Sequence, residues 1–142
     1  KVNGTINAIN ATNVSEMFQY CYGLKEVDIN VPSENACNYE ELFQTCRSLK
    51  SINDFNFENA TSLNATFYDM RSLSSVNNVT NISINTNFRY TNLDASDFVD
   101  IFTNSLATVT GKTINISNSP GASELTAEQI AIATNKGWTV TT

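Results

Sequence analysis

The three cysteines are the first residues to consider for chemistry, because a thiol can act as a nucleophile, bind zinc or form a disulfide. Cys21, Cys37 and Cys46 match no zinc-ligand spacing, and the chain has no histidine to pair with them. Cys-His and Ser-His-Asp catalysis and imidazole metal sites are therefore excluded. Cys21 and Cys46 hold equivalent places in a repeat, so we expect both thiols to be buried and Cys37, in a loop, to react first. A disulfide between Cys21 and Cys46, or between Cys37 and either of them, stays open.

Carboxylates are the other candidates for chemistry. Asp94, Asp97 and Asp100 lie close together, but their spacing indicates helix capping and solvation rather than a pair tuned for acid–base work. The segment 53–58 alternates oxygen-bearing side chains as a calcium loop does, yet it lacks the central glycine and the distal glutamate of such a loop. We therefore predict no catalytic residue, no cofactor, no metal site and no enzymatic activity.

The composition restricts the classes of partner. The net charge is −6, which argues against binding to nucleic acid or to an anionic membrane surface. No apolar run reaches the length of roughly 20 residues that a membrane-spanning helix needs, so direct membrane insertion is not expected. Asn, Thr and Ser are abundant, while 41% of the residues are hydrophobic. This combination predicts a folded domain with a polar, weakly charged surface, which is typical of extracellular or virion-exposed proteins.

A repeat of phenylalanines is the main organising signal, and it predicts the elements that would position any site. The repeated residues are Phe18, Phe43, Phe67, Phe88 and Phe102, referred to below as the ladder phenylalanines. A large apolar residue stands four positions before each of them, and a residue typical of a helix N-cap stands five positions before. This spacing favours one short amphipathic helix in each unit. A unit of about 24 residues cannot bury its own apolar face, so successive units should stack into a solenoid.

The periodicity gives approximate bounds for the predicted elements. Helices are predicted at about 14–21, 39–46, 63–70, 84–90, 98–107 and 126–135. Short strands are predicted at about 25–29, 50–53, 74–77, 113–117 and 138–142.

Two segments resemble a known family of repeat proteins. Phe18, Cys21, Leu24 and Val27 give the pattern Phe-x-x-Cys-x-x-Leu-x-x-Val, which resembles the BspA-like (Treponema-type) leucine-rich repeat of surface proteins. The tail from 125 to 140 is similar to the closing unit of such proteins. The resemblance implies an α/β solenoid, a leucine-rich repeat of short helices and a short-stranded parallel sheet, with a C-terminal capping unit. We expect one domain over 1–142, with repeats to about 92 and a degenerate repeat and cap over about 93–142, within a longer protein.

The predicted strands define a candidate binding surface. Residues that flank the inward-facing strand positions should point away from the core and line one polar stripe. These residues are Glu26, Asp28, Ser51, Asn53, Ser75 and Asn77, referred to below as the strand stripe. The resemblance implies a noncatalytic adhesion domain of a bacterial cell-surface protein, which binds a protein on a host or neighbouring cell. The alternative is a structural or receptor-binding module of a phage virion, such as a tail fibre or capsid decoration, in contact with other modules of the same assembly.

Overall fold

The computed structural model describes residues 4–32 and 34–142. Most of the regular structure in these ranges consists of short strands. The strands are β1 (Ile6–Asn7), β2 (Ile29–Asn30), β3 (Cys37–Asn38), β4 (Ser51–Asn53), β5 (Ala60–Ser62), β6 (Ser75–Asn77), β7 (Thr86–Asn87), β8 (Lys112–Asn115) and β9 (Trp138–Thr141). The helices are α1 (Ala95–Asp100), which continues into a π-helical turn (Ile101–Ser105), a 3-10 turn (Pro120–Ser123) and α2 (Ala127–Thr134).

All strand pairs in the described part of the chain are parallel, and they form small separate sheets. The pairs are β1–β2, β3–β5 and β4–β6, and the largest sheet has the order β7–β8–β9. In β4–β6 the register places Ser51 opposite Ser75 and Asn53 opposite Asn77. Residues 24 positions apart therefore lie side by side on neighbouring segments.

The prediction of an α/β leucine-rich-repeat solenoid is wrong. Within residues 4–32 and 34–142 there are two α-helices, and both lie after residue 94. The strands belong to four small sheets rather than to one continuous sheet backed by a helix in each unit. The C-terminal segment contains both α-helices, and its last strand, β9, is the outer strand of the β7–β8–β9 sheet.

Consecutive turns replace the first three predicted helices. Each of these segments contains two residues in the left-handed region, which a right-handed helix does not tolerate. The pairs are Glu16 and Tyr20, Glu41 and Thr45, and Ala65 and Asp69, with φ between 52° and 63°. The Met17 amide donates to the Val14 carbonyl with a positive φ at Glu16 between them, as a type II turn requires.

Hydrogen bonds between neighbouring segments explain why turns form in place of helices. The amide of Phe18 donates to the carbonyl of Leu42 at 3.0 Å, and the amide of Phe43 donates to that of Thr66 at 3.3 Å. In a helix these amides would bond to carbonyls four residues earlier in the same segment. Here they bond across segments, in continuation of the parallel strand pairing. The fourth predicted helix, at 84–90, likewise contains strand β7 and a left-handed Tyr90.

The residues predicted to cap the early helices start turns. The side-chain oxygen of Asn13 accepts from the amide of Ser15 at 2.8 Å, and that of Asn38 accepts from the amide of Glu40 at 2.9 Å. A side-chain oxygen that binds an amide two residues later can begin an Asx-turn as well as a helix.

Several of the other predicted elements are present in the structure. The predicted strands 50–53, 74–77 and 113–117 overlap β4, β6 and β8. The predicted helix 126–135 contains α2.

The ladder phenylalanines form the centre of the core, as predicted. Phe18 stacks on Phe43 with ring centres 5.6 Å apart, and Phe67 stacks on Phe88 at 4.5 Å. Phe57 contacts Phe67 edge to face at 5.9 Å and so extends the aromatic packing. All five of these rings are buried. Burial of aromatic surface therefore helps to hold successive segments together.

Candidate interaction surface

The structure brings four residues of the predicted strand stripe together. Ser51 and Asn53 on β4 lie beside Ser75 and Asn77 on β6. The Asn77 amide nitrogen donates to the Asn53 side-chain oxygen at 2.8 Å and to Ser75 Oγ at 2.9 Å. The Asn53 amide nitrogen donates to Ser51 Oγ at 3.1 Å. One of these hydrogen bonds therefore joins the side chains of the two strands, and the other two lie within a strand.

The other two stripe residues lie on the preceding segment. Glu26 and Asp28 are exposed and precede β2, which pairs with β1 and not with β4. The Asp28 carboxylate accepts from the Thr5 hydroxyl at 2.5 Å. Asp28 and Asn53 both line a groove of about 690 Å³. The stripe is therefore interrupted between its first and second segments.

Asp94 and Asp97 both help to cap a helix, but Asp94 is the N-cap, and Asp97, which the spacing predicts as the N-cap, lies inside α1. The Asp94 carboxylate accepts from the Asp97 amide at 2.9 Å, and the Asp97 carboxylate accepts from the Asp94 amide at 2.9 Å, which makes a capping box at the start of α1. Hydrogen bonds from Ser96 and Asp97 lower the pKa of Asp94, while burial raises the pKa of Asp97. Capping thus explains the lowered pKa of Asp94, since Ser96 and Asp97 are its donors.

Across residues 4–32 and 34–142, no group of three or more His, Cys, Asp or Glu side chains is placed to hold a metal ion. In the same ranges, no helix has both the length and the apolar character needed to cross a bilayer.

The cysteines occupy different environments from those predicted. Cys21 is exposed, whereas Cys37 and Cys46 are fully buried, and all three are free thiols. The predictions that Cys21 is buried and that Cys37 reacts first are therefore wrong, and only the burial of Cys46 is confirmed. Cys37 lies on β3, which packs against the core, while Cys21 lies on a turn segment that has one packed neighbour within the described residues. Burial raises the pKa of Cys46 to about 12, and its thiol donates to the Phe18 carbonyl at 3.0 Å.

We expect Cys21 to be the first cysteine to react with a thiol reagent in the folded protein. Only the thiolate reacts, and burial disfavours the thiolate of Cys37 and Cys46. Mass spectrometry after a short exposure to a maleimide should find the label on Cys21 alone, and denaturant should release the other two thiols. Equally fast labelling of Cys46 in the native protein would contradict the packing described here.

A second surface, which the sequence analysis did not identify, is rich in tyrosine and arginine. Its members are Tyr20, Tyr22, Arg47, Tyr68, Asp69, Arg71, Arg89 and Tyr90, referred to below as the Tyr–Arg surface. It contains all three arginines of the chain and four of its five tyrosines. Tyr20 and Tyr22 are 53% and 55% exposed, and they are among the most exposed large hydrophobic residues of the described chain.

The repeat itself builds the Tyr–Arg surface. Tyr22, Arg47 and Arg71 each stand four residues after a ladder phenylalanine, so the pairing of segments brings them to one side of the molecule. The Arg47 guanidinium lies 5.7 Å from the centre of the Tyr22 ring. This common phase was the sequence signal that could have revealed the surface. The repeat of apolar residues does not itself reveal the surface, because these tyrosines and arginines lie outside the ladder positions.

Asp69 fixes two of the arginines. Its carboxylate accepts from Arg47 Nε and Nη2 at 2.9 and 2.7 Å, and from Arg71 Nε at 2.6 Å. The Asp69 side chain is 7% exposed, while those of Arg47 and Arg71 are 46% and 60% exposed. Burial alone would raise the pKa of Asp69, but hydrogen bonds from the two guanidiniums outweigh burial and lower it.

Aromatic rings support the other side of the arginines. The guanidinium carbons of Arg71 and Arg89 lie 5.9 and 5.1 Å from the centre of the Tyr90 ring, within the range of cation–π attraction. Tyr68 contacts Tyr90 edge to face at 5.7 Å. Arg71 is therefore held both by a buried carboxylate and by a ring that is itself packed, so its position is largely fixed before any partner binds.

We expect Asp69→Asn to destabilise the fold by about 1–3 kcal/mol at pH 7, because two guanidiniums lose their charged acceptor. The lowered pKa means that Asp69 stabilises the fold above its unfolded pKa of about 3.9, and that this contribution is lost as the pH falls through the folded pKa. Urea unfolding should therefore show a difference between wild type and variant that shrinks below about pH 4. The exposed Glu58→Gln serves as the control. A difference that is constant from pH 7 to strongly acidic pH would contradict this role.

Comparisons with other proteins give no family assignment. No protein-family model, no curated protein and no solved structure matches the chain. The function must therefore be argued from the two surfaces described above.

Proposed function

We propose that this chain is a noncatalytic protein-interaction domain of a bacterial cell-surface protein, and that it adheres to a protein on a host or neighbouring cell. One observation carries the proposal: all three arginines and four of the five tyrosines lie on one surface of a chain whose net charge is −6. The resemblance of the repeated Phe-x-x-Cys segments to BspA-like surface proteins supports the cellular location.

The composition of the Tyr–Arg surface favours recognition of a protein. Tyr and Arg are enriched at the positions that carry most of the binding energy in protein interfaces. A tyrosine supplies a large contact area with few rotatable bonds, and an arginine held by a carboxylate loses less conformational entropy on binding. Arg47 and Arg71 are held in this way by Asp69.

The strand stripe stays a predicted binding surface of second rank. The Asn53 and Asn77 side chains bond to each other and to Ser51 and Ser75, so part of their hydrogen-bonding capacity is already used. A partner that binds the strand stripe would have to break these hydrogen bonds or bind only to the donors and acceptors that remain unused.

A cell-binding assay tests the proposal. The fluorescently labelled domain is added to cultured epithelial cells and to intact bacterial cells, and binding is measured by flow cytometry before and after proteolysis of the cell surface. We expect saturable binding that unlabelled domain competes away and that proteolysis abolishes. Binding that survives proteolysis, or no saturable binding to either cell type, would contradict the proposal. Protease-sensitive binding to bacterial cells alone would place the partner on a neighbouring bacterium, a result that the virion receptor-binding alternative also predicts.

Two matched variants identify the surface responsible. Tyr20→Ser with Tyr22→Ser removes the two exposed rings, and it should weaken cell binding at least tenfold, or about 1.4 kcal/mol. Asp28→Lys with Asn53→Lys and Asn77→Lys changes the strand stripe and should alter affinity by less than about twofold. The opposite ranking would place the partner on the strand stripe.

A further inference from the structure

Arg71 has unused hydrogen-bonding capacity at the centre of the Tyr–Arg surface. It donates to Asp69 through Nε, and among the described residues its two terminal nitrogens make no hydrogen bond. Its side chain is 60% exposed. Two parallel N–H donors on a planar guanidinium match the two oxygens of a carboxylate. Arg71 is therefore shaped to receive a carboxylate from outside the chain.

The surface around Arg71 has an excess of positive charge. The members of the Tyr–Arg surface include three guanidiniums and one carboxylate, that of Asp69, which gives them a net charge of +2 within a chain of net charge −6. In addition, Arg89 Nε is buried without a hydrogen-bond partner among the described residues. A buried donor without an acceptor is unfavourable, so Arg89 leaves one uncompensated donor inside this surface.

A small notch lies beside Arg71. The notch has a volume of about 100 Å³ and is lined by Arg71, Tyr90, Thr91 and Asn118. A small anionic group such as a side-chain carboxylate can therefore approach the Arg71 guanidinium here.

We propose that Arg71 binds a carboxylate from an acidic segment of the partner protein, with the Tyr90 ring beneath the guanidinium and Asp69 holding it in place. This proposal rests on the proposed protein-binding function and specifies the chemistry that the surface recognises. Asp69 and Tyr90 are positioning residues, because they act on the ligand through Arg71.

Binding of hexaglutamate to the purified domain tests this proposal, with hexaglutamine as the uncharged peptide and a heparin hexasaccharide as a sulfated polyanion. Affinities are measured by isothermal titration calorimetry, and binding sites by amide chemical-shift changes. We expect hexaglutamate to bind and to shift the amides of Arg71 and Tyr90, and hexaglutamine not to bind. Arg71→Gln should weaken hexaglutamate binding at least tenfold. Arg71→Lys, which keeps the charge but not the planar fork, should restore only part of the loss.

The matched control removes one positive charge elsewhere. Lys112 lies on β8 beside a different groove. Lys112→Gln should therefore change the affinity for hexaglutamate less than twofold. Equal losses in Arg71→Gln and Lys112→Gln would overturn the proposal in favour of general electrostatic attraction. Tighter binding of heparin than of hexaglutamate would overturn it in favour of sulfated glycans. If the domain does not bind hexaglutamate but still binds cells in a protease-sensitive way, the carboxylate site is wrong and the proposed function stands. If it binds hexaglutamate but shows no protease-sensitive cell binding, the proposed function alone is wrong.

Discussion

Replacing Phe67 with alanine should lower the free energy of unfolding by about 3–5 kcal/mol. The Phe67 ring is fully buried, stacks on Phe88 at 4.5 Å and contacts Phe57 edge to face at 5.9 Å. The change therefore removes a large apolar surface and leaves a cavity between rigid neighbours that cannot close around it. Chemical denaturation followed by tryptophan fluorescence or circular dichroism measures the loss. Phe43→Ala, at the equivalent place in the preceding segment, should have a similar effect.

Lysines on the outside of the same segments provide the control. Lys25 and Lys50 are exposed, so alanine at either position should change stability by no more than about 0.5 kcal/mol. Equal losses from the phenylalanine and lysine variants would show that the ladder phenylalanines are not the core.

Gly137→Ala should destabilise the protein by about 2–4 kcal/mol, for two reasons that add. Gly137 has a φ of 88°, which disfavours any residue with a Cβ atom. A Cβ at this position would also lie 1.9 Å from the Val109 carbonyl oxygen. The adjacent backbone is fixed by the bond from the Val109 amide to the Lys136 carbonyl at 2.8 Å, so the chain cannot move aside without losing that bond.

Gly111 separates the two causes. It also has a positive φ, of 65°, but a Cβ there would meet nothing within 4 Å. Gly111→Ala should therefore lower the free energy of unfolding only through the unfavourable backbone conformation. The net loss should be about 1 kcal/mol, because alanine also makes the unfolded chain less flexible and so offsets part of the loss. If thermal unfolding gave the two alanine variants the same stability, the close approach of Gly137 to Val109 would be wrong.

The sequence predicts which repeated residues are buried in the core, but it does not predict the conformation of the backbone between them. Phe18, Phe43 and Phe67 recur at intervals that burial alone explains, whatever conformation lies between them. The interval of four between Val14 and Phe18 fits one helical turn, but it also fits two successive type II turns that return to the same face. The left-handed residues in these turns, such as Glu16 and Tyr20, carry ordinary side chains and give no glycine signal.

The candidate site was predictable only in part, because its composition is visible in the sequence but its assembly depends on register. The sequence predicts that four residues lie side by side, namely Ser51, Asn53, Ser75 and Asn77. The structure brings them together because the paired strands β4 and β6 have matching patterns of burial. The Tyr–Arg surface depends on contacts between residues 22 positions apart, such as Arg47 and Asp69. Its members are of mixed residue types, so they give no periodic hydrophobic signal in the sequence. The exposure of Cys21 was missed for a related reason, since the repeat shows equivalence but not which segments have neighbours on both sides.

Backbone NMR of the segments 39–46 and 63–70 tests the central structural claim most directly, because the Tyr–Arg surface exists only if these segments are turns paired in parallel. We predict Cα chemical shifts that change sign along each segment, with left-handed values at Glu41, Thr45 and Asp69. We also predict a nuclear Overhauser contact between the amide proton of Phe43 and the backbone near Thr66, where the amide nitrogen and carbonyl oxygen are 3.3 Å apart. Uninterrupted helical shifts over 39–46, without contacts between the segments, would contradict the account.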